Sequence, residues 1–265
     1  MNASPDGLMG YVQRFPVRFD ECARDGAARA SALFRYVVEI AFAHSTAKGF
    51  PLAWYDTRGL HWVVRRARID LHSTVPYGAL LDVATRVVAF RRIWAQRRNT
   101  IQDFTGRFVG EVALDWIFTD RDGNPTRIVP EMAAAFPDLA ERVEIDRLDL
   151  GTPPANEHPV EFLVPAHQTD PRGHMNSAAY LDLFEDALVG LDVDPQARPA
   201  RYDLEFLRAV VPGEVLLRSV WAELNGWAMI GSTSAGVAVV KGRRTALNAG
   251  ERIGTRQGDR AGEGV

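Results

Sequence analysis

ASALFRYVVEIAFAHSTAK, residues 30–48, followed by Gly49 and Pro51, decides the fold. Leu33, Phe34, Val37, Val38, Ile40, Ala41 and Phe42 spread apolar side chains around much of a helical circumference. A helix of that kind is buried rather than laid on a surface. Gly49 closes it and Pro51 blocks its continuation. At about 1.5 Å per residue it spans roughly 28 Å, enough to cross the concave face of a curved sheet. A strand-like stretch (Tyr11 to Phe19) and a polar loop (Asp20 to Gly26) precede it. Strand-like runs follow at Leu60 to Leu71, Leu80 to Phe90, Ile93 to Phe104 and Phe108 to Thr119, ended by the turn Asp122-Gly123-Asn124-Pro125.

The same order then returns. Val160 to Val164 reads as a strand, Gln168 to Asn176 as a loop and Ser177 to Gly190 as a helix. Further strands fall at Tyr202 to Leu207, Val215 to Leu224, Trp227 to Thr233 and from Gly236 onward, with Asn225-Gly226 as a hairpin turn. Glu39 and Glu185 sit at matching points of the two helices. Val75-Pro76-Tyr77-Gly78 and Val211-Pro212-Gly213 each precede an apolar strand. These markers predict a diverged tandem duplication. The expected fold is α+β, a tandem (double) hotdog with two antiparallel sheets, each wrapped around a long central helix. The expected division is an N-terminal unit over 1–130, a linker over 131–158 with one short helix, a C-terminal unit over 159–249, and a disordered tail over 250–265.

Apolar residues make up 46% of the 265 and charged residues 25%, an ordinary globular balance. A net charge of −3 argues against a nucleic-acid partner. The single cysteine, Cys22, rules out an intramolecular disulfide or a cysteine zinc cluster and fits a reducing cytoplasm. The N-terminus lacks the basic-then-apolar pattern of a signal peptide, and no apolar run reaches membrane-spanning length. The expectation is a cytoplasmic protein without metal, cofactor or membrane partner, as a monomer or a homodimer.

Asp170-Pro-Arg172-Gly173-His174-Met-Asn176 places a carboxylate, a guanidinium, a glycine, an imidazole and a carboxamide directly before a helix. The start of a helix offers free N–H groups and a partial positive charge. Such a loop suits the splitting of an activated acyl group, because it can hold an oxyanion beside a base or nucleophile. Asp170 is the candidate base or nucleophile, or else simply the residue that starts the turn. His174 is a candidate for orienting water or thioester. Gly173 and the following N–H groups are candidates for the oxyanion site, and Asn176 or Ser177 for the helix cap. Glu185, two turns into the helix, is a candidate second acid. Arg172 can pair with Asp170 or bind a substrate carboxylate or phosphate. Arg65-Arg66, Arg91-Arg92 and Arg97-Arg98, if on strands, send one member to each face, where the outer ones can steer an acidic carrier protein.

The first copy, with Val17-Arg-Phe-Asp-Glu21, Asp25-Gly26, the helix to His44, Leu60-His-Trp-Val-Val-Arg65 and Val75-Pro-Tyr-Gly78, resembles the N-terminal half of acyl-ACP thioesterases. The second copy, with Asp170, Gly-His-Met-Asn, Tyr180 and Glu185, resembles the motif they share with the 4-hydroxybenzoyl-CoA thioesterase group. The resemblance implies hydrolysis of acyl-ACP or acyl-CoA thioesters, with the acyl chain buried and the catalytic loop in the second copy. It places Asp170 and His174 at the family's catalytic positions, and with Arg172 and Asn176 it makes Tyr180 a candidate substrate contact. Arg172 stands where plant-type members carry Asn, and Ala209 where a catalytic Glu aligns. The first copy is expected to shape the acyl pocket. Two other readings stay open: a non-hydrolytic hotdog dehydratase or cyclase on carrier-bound chains, and an inactive acyl or carrier-protein binding module.

Overall fold

A computed structural model of the protein describes residues 8–136, 143–248 and 251–253. The first copy forms β1 (Tyr11–Pro16), α1 (Ala30–Ala47), α2 (Leu52–Arg58), β2 (His61–Leu71), β3 (Leu80–Arg91), β4 (Trp94–Asp103) and β5 (Phe108–Thr119). After α3 (Pro130–Ala134), the second forms β6 (Val160–Leu163), α4 (Ser177–Gly190), β7 (Ala200–Phe206), β8 (Val215–Glu223), β9 (Gly226–Thr233) and β10 (Ala238–Ala246). The strands join in the order β1-β3-β4-β5-β2-β7-β10-β9-β8-β6. Each copy keeps one internal order, mirrored about the β2–β7 seam. The two sheets expected from the sequence thus meet edge to edge in one antiparallel sheet, and α1 and α4 share its concave face and one apolar core.

Charge fixes the seam. Its register opposes Arg66 to Glu205, Arg68 to Asp203 and Asp70 to Arg201 on successive outward-facing positions. Arg68 Nε lies 2.7 Å from Asp203, and Arg201 grips both oxygens of the fully buried Asp70 at 2.8 and 2.7 Å. The intervening residues, Ala67, Ile69, Leu71, Tyr202 and Leu204, point the other way into the core. A slip of one residue would bury the charges and expose the apolar set, so opposite charges across the seam and burial enforce the same register. On the concave side, Asp182 of α4 takes hydrogen bonds from Ser31 and Arg35 of α1 and ties the helices together.

Three departures from the sequence reading matter. Helix α2 begins directly after Pro51, which the sequence reading treats only as a block; a proline is equally suited to a helix start. The expected linker is part of the packing. Met132 and Phe136 are buried against Phe50, Tyr55 and Phe118, and Val143 exchanges two hydrogen bonds of 2.7 Å with the Gln96 side chain on the outer face of β4. Arg66 and Lys241, from different copies, donate to Ile145 and Leu148 carbonyls of the same segment. Finally, of the tail expected to lack order, residues 251–253 are docked: Ile253 is buried, its N–H donates to Glu111, and Glu251 pairs with Arg201. Residues 254–265 lie outside the described residues.

Candidate active site

The Asp170 loop is a tight turn closed by its own backbone. The Asp170 N–H donates to the His174 carbonyl at 2.8 Å and the Gly173 N–H to the Asp170 carbonyl at 2.9 Å. Gly173 takes φ +78°, a conformation that costs a side-chain-bearing residue about 1–2 kcal/mol. Oδ1 of Asp170 accepts the Arg172 N–H at 2.9 Å and the His174 N–H at 3.2 Å. Asp170 therefore does start the turn, through one oxygen. The carboxylate is half-buried, and its Oδ2 takes part in none of the described hydrogen bonds. Asn176 is the helix cap: its side chain accepts the Ala178 N–H at 2.9 Å. Its carbonyl accepts the Ala179 N–H at 2.9 Å. Most N–H groups expected to cradle an oxyanion are thus engaged within the loop. The Ser177 N–H meets no acceptor among the described residues.

The same turn exists in the first copy without its chemistry. Gly26 N–H donates to Ala23 O at 3.0 Å and Ala23 N–H to Ala27 O at 2.7 Å, with Gly26 at φ +82°. Arg29 N–H reaches Glu21 O as Asn176 N–H reaches Gln168 O, and Ala28 N–H reaches Val75 O as Met175 N–H reaches Val210 O. Ala23 thus stands where Asp170 stands, and Ala27 where His174 stands. Both copies carry the backbone scaffold, and only the second carries the Asp and His side chains.

Arg172 carries the loop across to the other copy. Its Nη1 donates to the Trp62 carbonyl at the start of β2 at 2.9 Å, while Nη2 is buried and unbonded. It forms no ion pair with Asp170, so the expected direct pairing is not realised, although Asp170, Asp56 and Tyr55 hold its charge against the cost of burial. His61 faces the same spot. Burial pushes its pKa down, and Arg172 and His174 add to the effect. Beyond Trp62 lies a narrow pocket between α1, α2 and the first copy's strands, with a cavity volume of about 30 Å³. Phe42, Trp62, Phe90, Trp116, Met132 and Phe136 supply its apolar walls.

The structure does not bring the other candidates to this point. Glu185 is fully enclosed further along α4, accepting from the Tyr202 hydroxyl at 2.8 Å, and burial pushes its carboxyl up to about 7. Its expected role as a second acid in the cleft is not supported by that position. Glu39, its expected counterpart, is exposed. Tyr180 is buried, its ring edge-on to Phe206, rather than facing open space. Ala209 lies exposed beside the loop and brings no titratable group. His61 is a residue beside the loop that the sequence reading did not single out, although it lies in a stretch that carries the family resemblance. Among the described residues no cluster of three or more His, Cys, Asp or Glu is placed to hold a metal, and no helix is long and apolar enough to cross a membrane.

The fold is that of a tandem hotdog protein. Residues 9–136 match the acyl-ACP thioesterase N-terminal domain family. A 12:0-ACP thioesterase from Umbellularia californica is similar at a TM-score of 0.76 and 19% identity, over 90% of this chain and 98% of its own. A putative oleoyl thioesterase from Lactobacillus plantarum is similar at 0.77 and 18%, over 92% and 98%. An acyl-ACP thioesterase from Bacteroides thetaiotaomicron is similar at 0.75 and 16%, over 89% and 96%. At these identities the likeness is one of fold. No curated protein matches the sequence.

Proposed function

We propose that this chain hydrolyses acyl thioesters of acyl carrier protein or coenzyme A, releasing the free carboxylic acid. The observation that carries the reading is the composite site. The Asp170 loop of one copy is bonded through Arg172 to Trp62, a wall of the apolar pocket in the other. The acyl chain occupies that pocket and its thioester carbonyl lies at the mouth. Asp170 then has one oxygen fixed by backbone N–H groups and the other available to a water molecule. Water adds to the carbonyl carbon as Asp170 takes its proton. The Ser177 N–H, at the positive end of α4, is the donor for the oxyanion. His174, on the same turn, orients the attacking water. The tetrahedral adduct collapses, the C–S bond breaks, and the thiolate leaves and takes up a proton. Carrier protein and coenzyme A share the phosphopantetheine thiol, so either fits this chemistry.

The test is thiol release from a panel of acyl-CoA and acyl-ACP substrates of graded length. Release from at least one class is expected. A protein that binds acylated carrier tightly yet releases thiol from none is a binding module, and that result overturns the proposal.

A further inference from the structure

Every strongly buried arginine on the outer face of the sheet meets a carboxylate: Arg66 meets Glu205, Arg68 meets Asp203, Arg98 meets Glu111 and Arg201 meets Asp70. On the concave side two buried arginines lack such a partner: Arg244 is held by Tyr202 Oη and the carbonyls of Asp194 and Ala197, and Arg97 faces the pocket. Arg97 points from β4 to the concave side, is 8% exposed, and lines the pocket. Its Nη1 contacts His44 Nδ1 at 3.1 Å and Thr85 Oγ1 at 3.4 Å, and its guanidinium lies over the Phe136 ring at 5.6 Å. No carboxylate among the described residues pairs with it. His44 cannot share the charge, because burial first, then Arg97 and Lys48, push its pKa down to about 3, and it stays neutral. Two hydroxyls line the same pocket: Ser45 Oγ and Tyr55 Oη, 2.7 Å apart. Their mutual hydrogen bond uses one of the two protons and leaves the other for a ligand.

A buried cation without a counter-ion is costly, and a pocket meant only for hydrocarbon gains nothing from it. The pocket is apolar at its walls and cationic at this one place. A ligand carboxylate there would receive charge-assisted hydrogen bonds in a water-poor setting.

We propose that the acyl group taken by this pocket ends in a carboxylate, so that the substrate is the monothioester of a dicarboxylic acid, its far carboxylate held by Arg97 with Tyr55 and Ser45. This rests on the thioesterase reading above.

The experiment compares wild-type kcat/KM on ω-carboxyacyl-CoA and methyl-ended acyl-CoA of equal length, and repeats both with Arg97→Met and Arg97→Lys. Charge-assisted bonds of this kind predict a wild-type preference for the carboxylate of about tenfold to a hundredfold. The ratio should fall toward one or below in Arg97→Met, with Arg97→Lys in between. A wild-type preference for the methyl end, for a hydroxyl end over a carboxylate, or a ratio unmoved in Arg97→Met overturns the proposal. The wild-type comparison stands even if a variant fails to fold. If no thioester is cleaved at all, the hydrolase reading fails by itself. Calorimetric binding of a free dicarboxylic acid against the monocarboxylic acid of equal length then decides the pocket's preference: a tighter diacid supports the proposal and equal binding refutes it.

Discussion

Asp170 has an observed role in the turn and a proposed one as base, and two substitutions separate them. Asp170→Asn keeps a carbonyl oxygen where Oδ1 now accepts the Arg172 and His174 N–H groups at 2.9 and 3.2 Å, but removes the negative charge. Asp170→Ala removes both. The hydrogen bonds are worth about 0.5–1.5 kcal/mol each, so the alanine variant should lose about 1–3 kcal/mol. The first copy shows that the turn survives such a loss: Ala23 holds the equivalent place, and the Asp25 carboxylate takes the Ala27 N–H at 2.9 Å instead. Asp170→Asn should lose about 0.5 kcal/mol or less. Catalysis should treat the two variants alike. Removing a positioned base costs about a hundredfold to ten-thousandfold in kcat/KM, and both variants lack it. Urea unfolding gives the stabilities and thiol release gives the rates. An asparagine variant with wild-type kcat/KM would reduce Asp170 to a turn residue and refute the mechanism. An asparagine variant as unstable as alanine would refute the turn assignment instead.

Two further predictions concern buried charge. Burial raises the Glu185 carboxyl from the ordinary 4.5 to about 7, so between those values the folded protein holds a proton that the unfolded chain has lost. Stability should therefore fall as pH rises through that window, by about 3 kcal/mol, and Glu185→Gln should remove that part of the slope; identical slopes in denaturation at pH 5 and pH 8 would refute it. Asp70→Asn strips a fully buried carboxylate from Arg201 and should cost about 3 kcal/mol, softened by the remaining Glu251 contact. A loss below about 1 kcal/mol would show that strand pairing and the core hold the seam unaided.

What the sequence made legible follows from range. The helices and strands of both copies could be read because their patterns are long, and α4 starts and ends where its cap and periodicity place it. Helix α2 was missed because seven residues are too few to show a period. The docking of residues 143–149 was missed because it is made by backbone groups meeting Gln96, Arg66 and Lys241, and composition does not reveal such pairings. The loop's shape was legible, and so was the Asn176 cap. The paths of Arg172 and Glu185 were not. Each is set by the partner that burial selects, Trp62 O across the copies for one and Tyr202 within the second copy for the other.

The paired loops show how the two copies differ at the proposed site. A helix-start turn with its glycine at positive φ is present in both, so the backbone alone does not distinguish the two copies. The difference lies in four side chains: Ala23 and Ala27 against Asp170 and His174. The first copy places Arg97, Tyr55 and a set of aromatic side chains around a pocket beneath α1. The second copy spends its helix-flanking interior on packing Glu185, Tyr202 and Phe184. Arg172 joins the halves, because its guanidinium reaches the carbonyl of the pocket's own Trp62. A shift of the β2–β7 seam would move Trp62 relative to Asp170. The ion-paired register across that seam therefore fixes the distance between the Asp170 carboxylate and the mouth of the pocket.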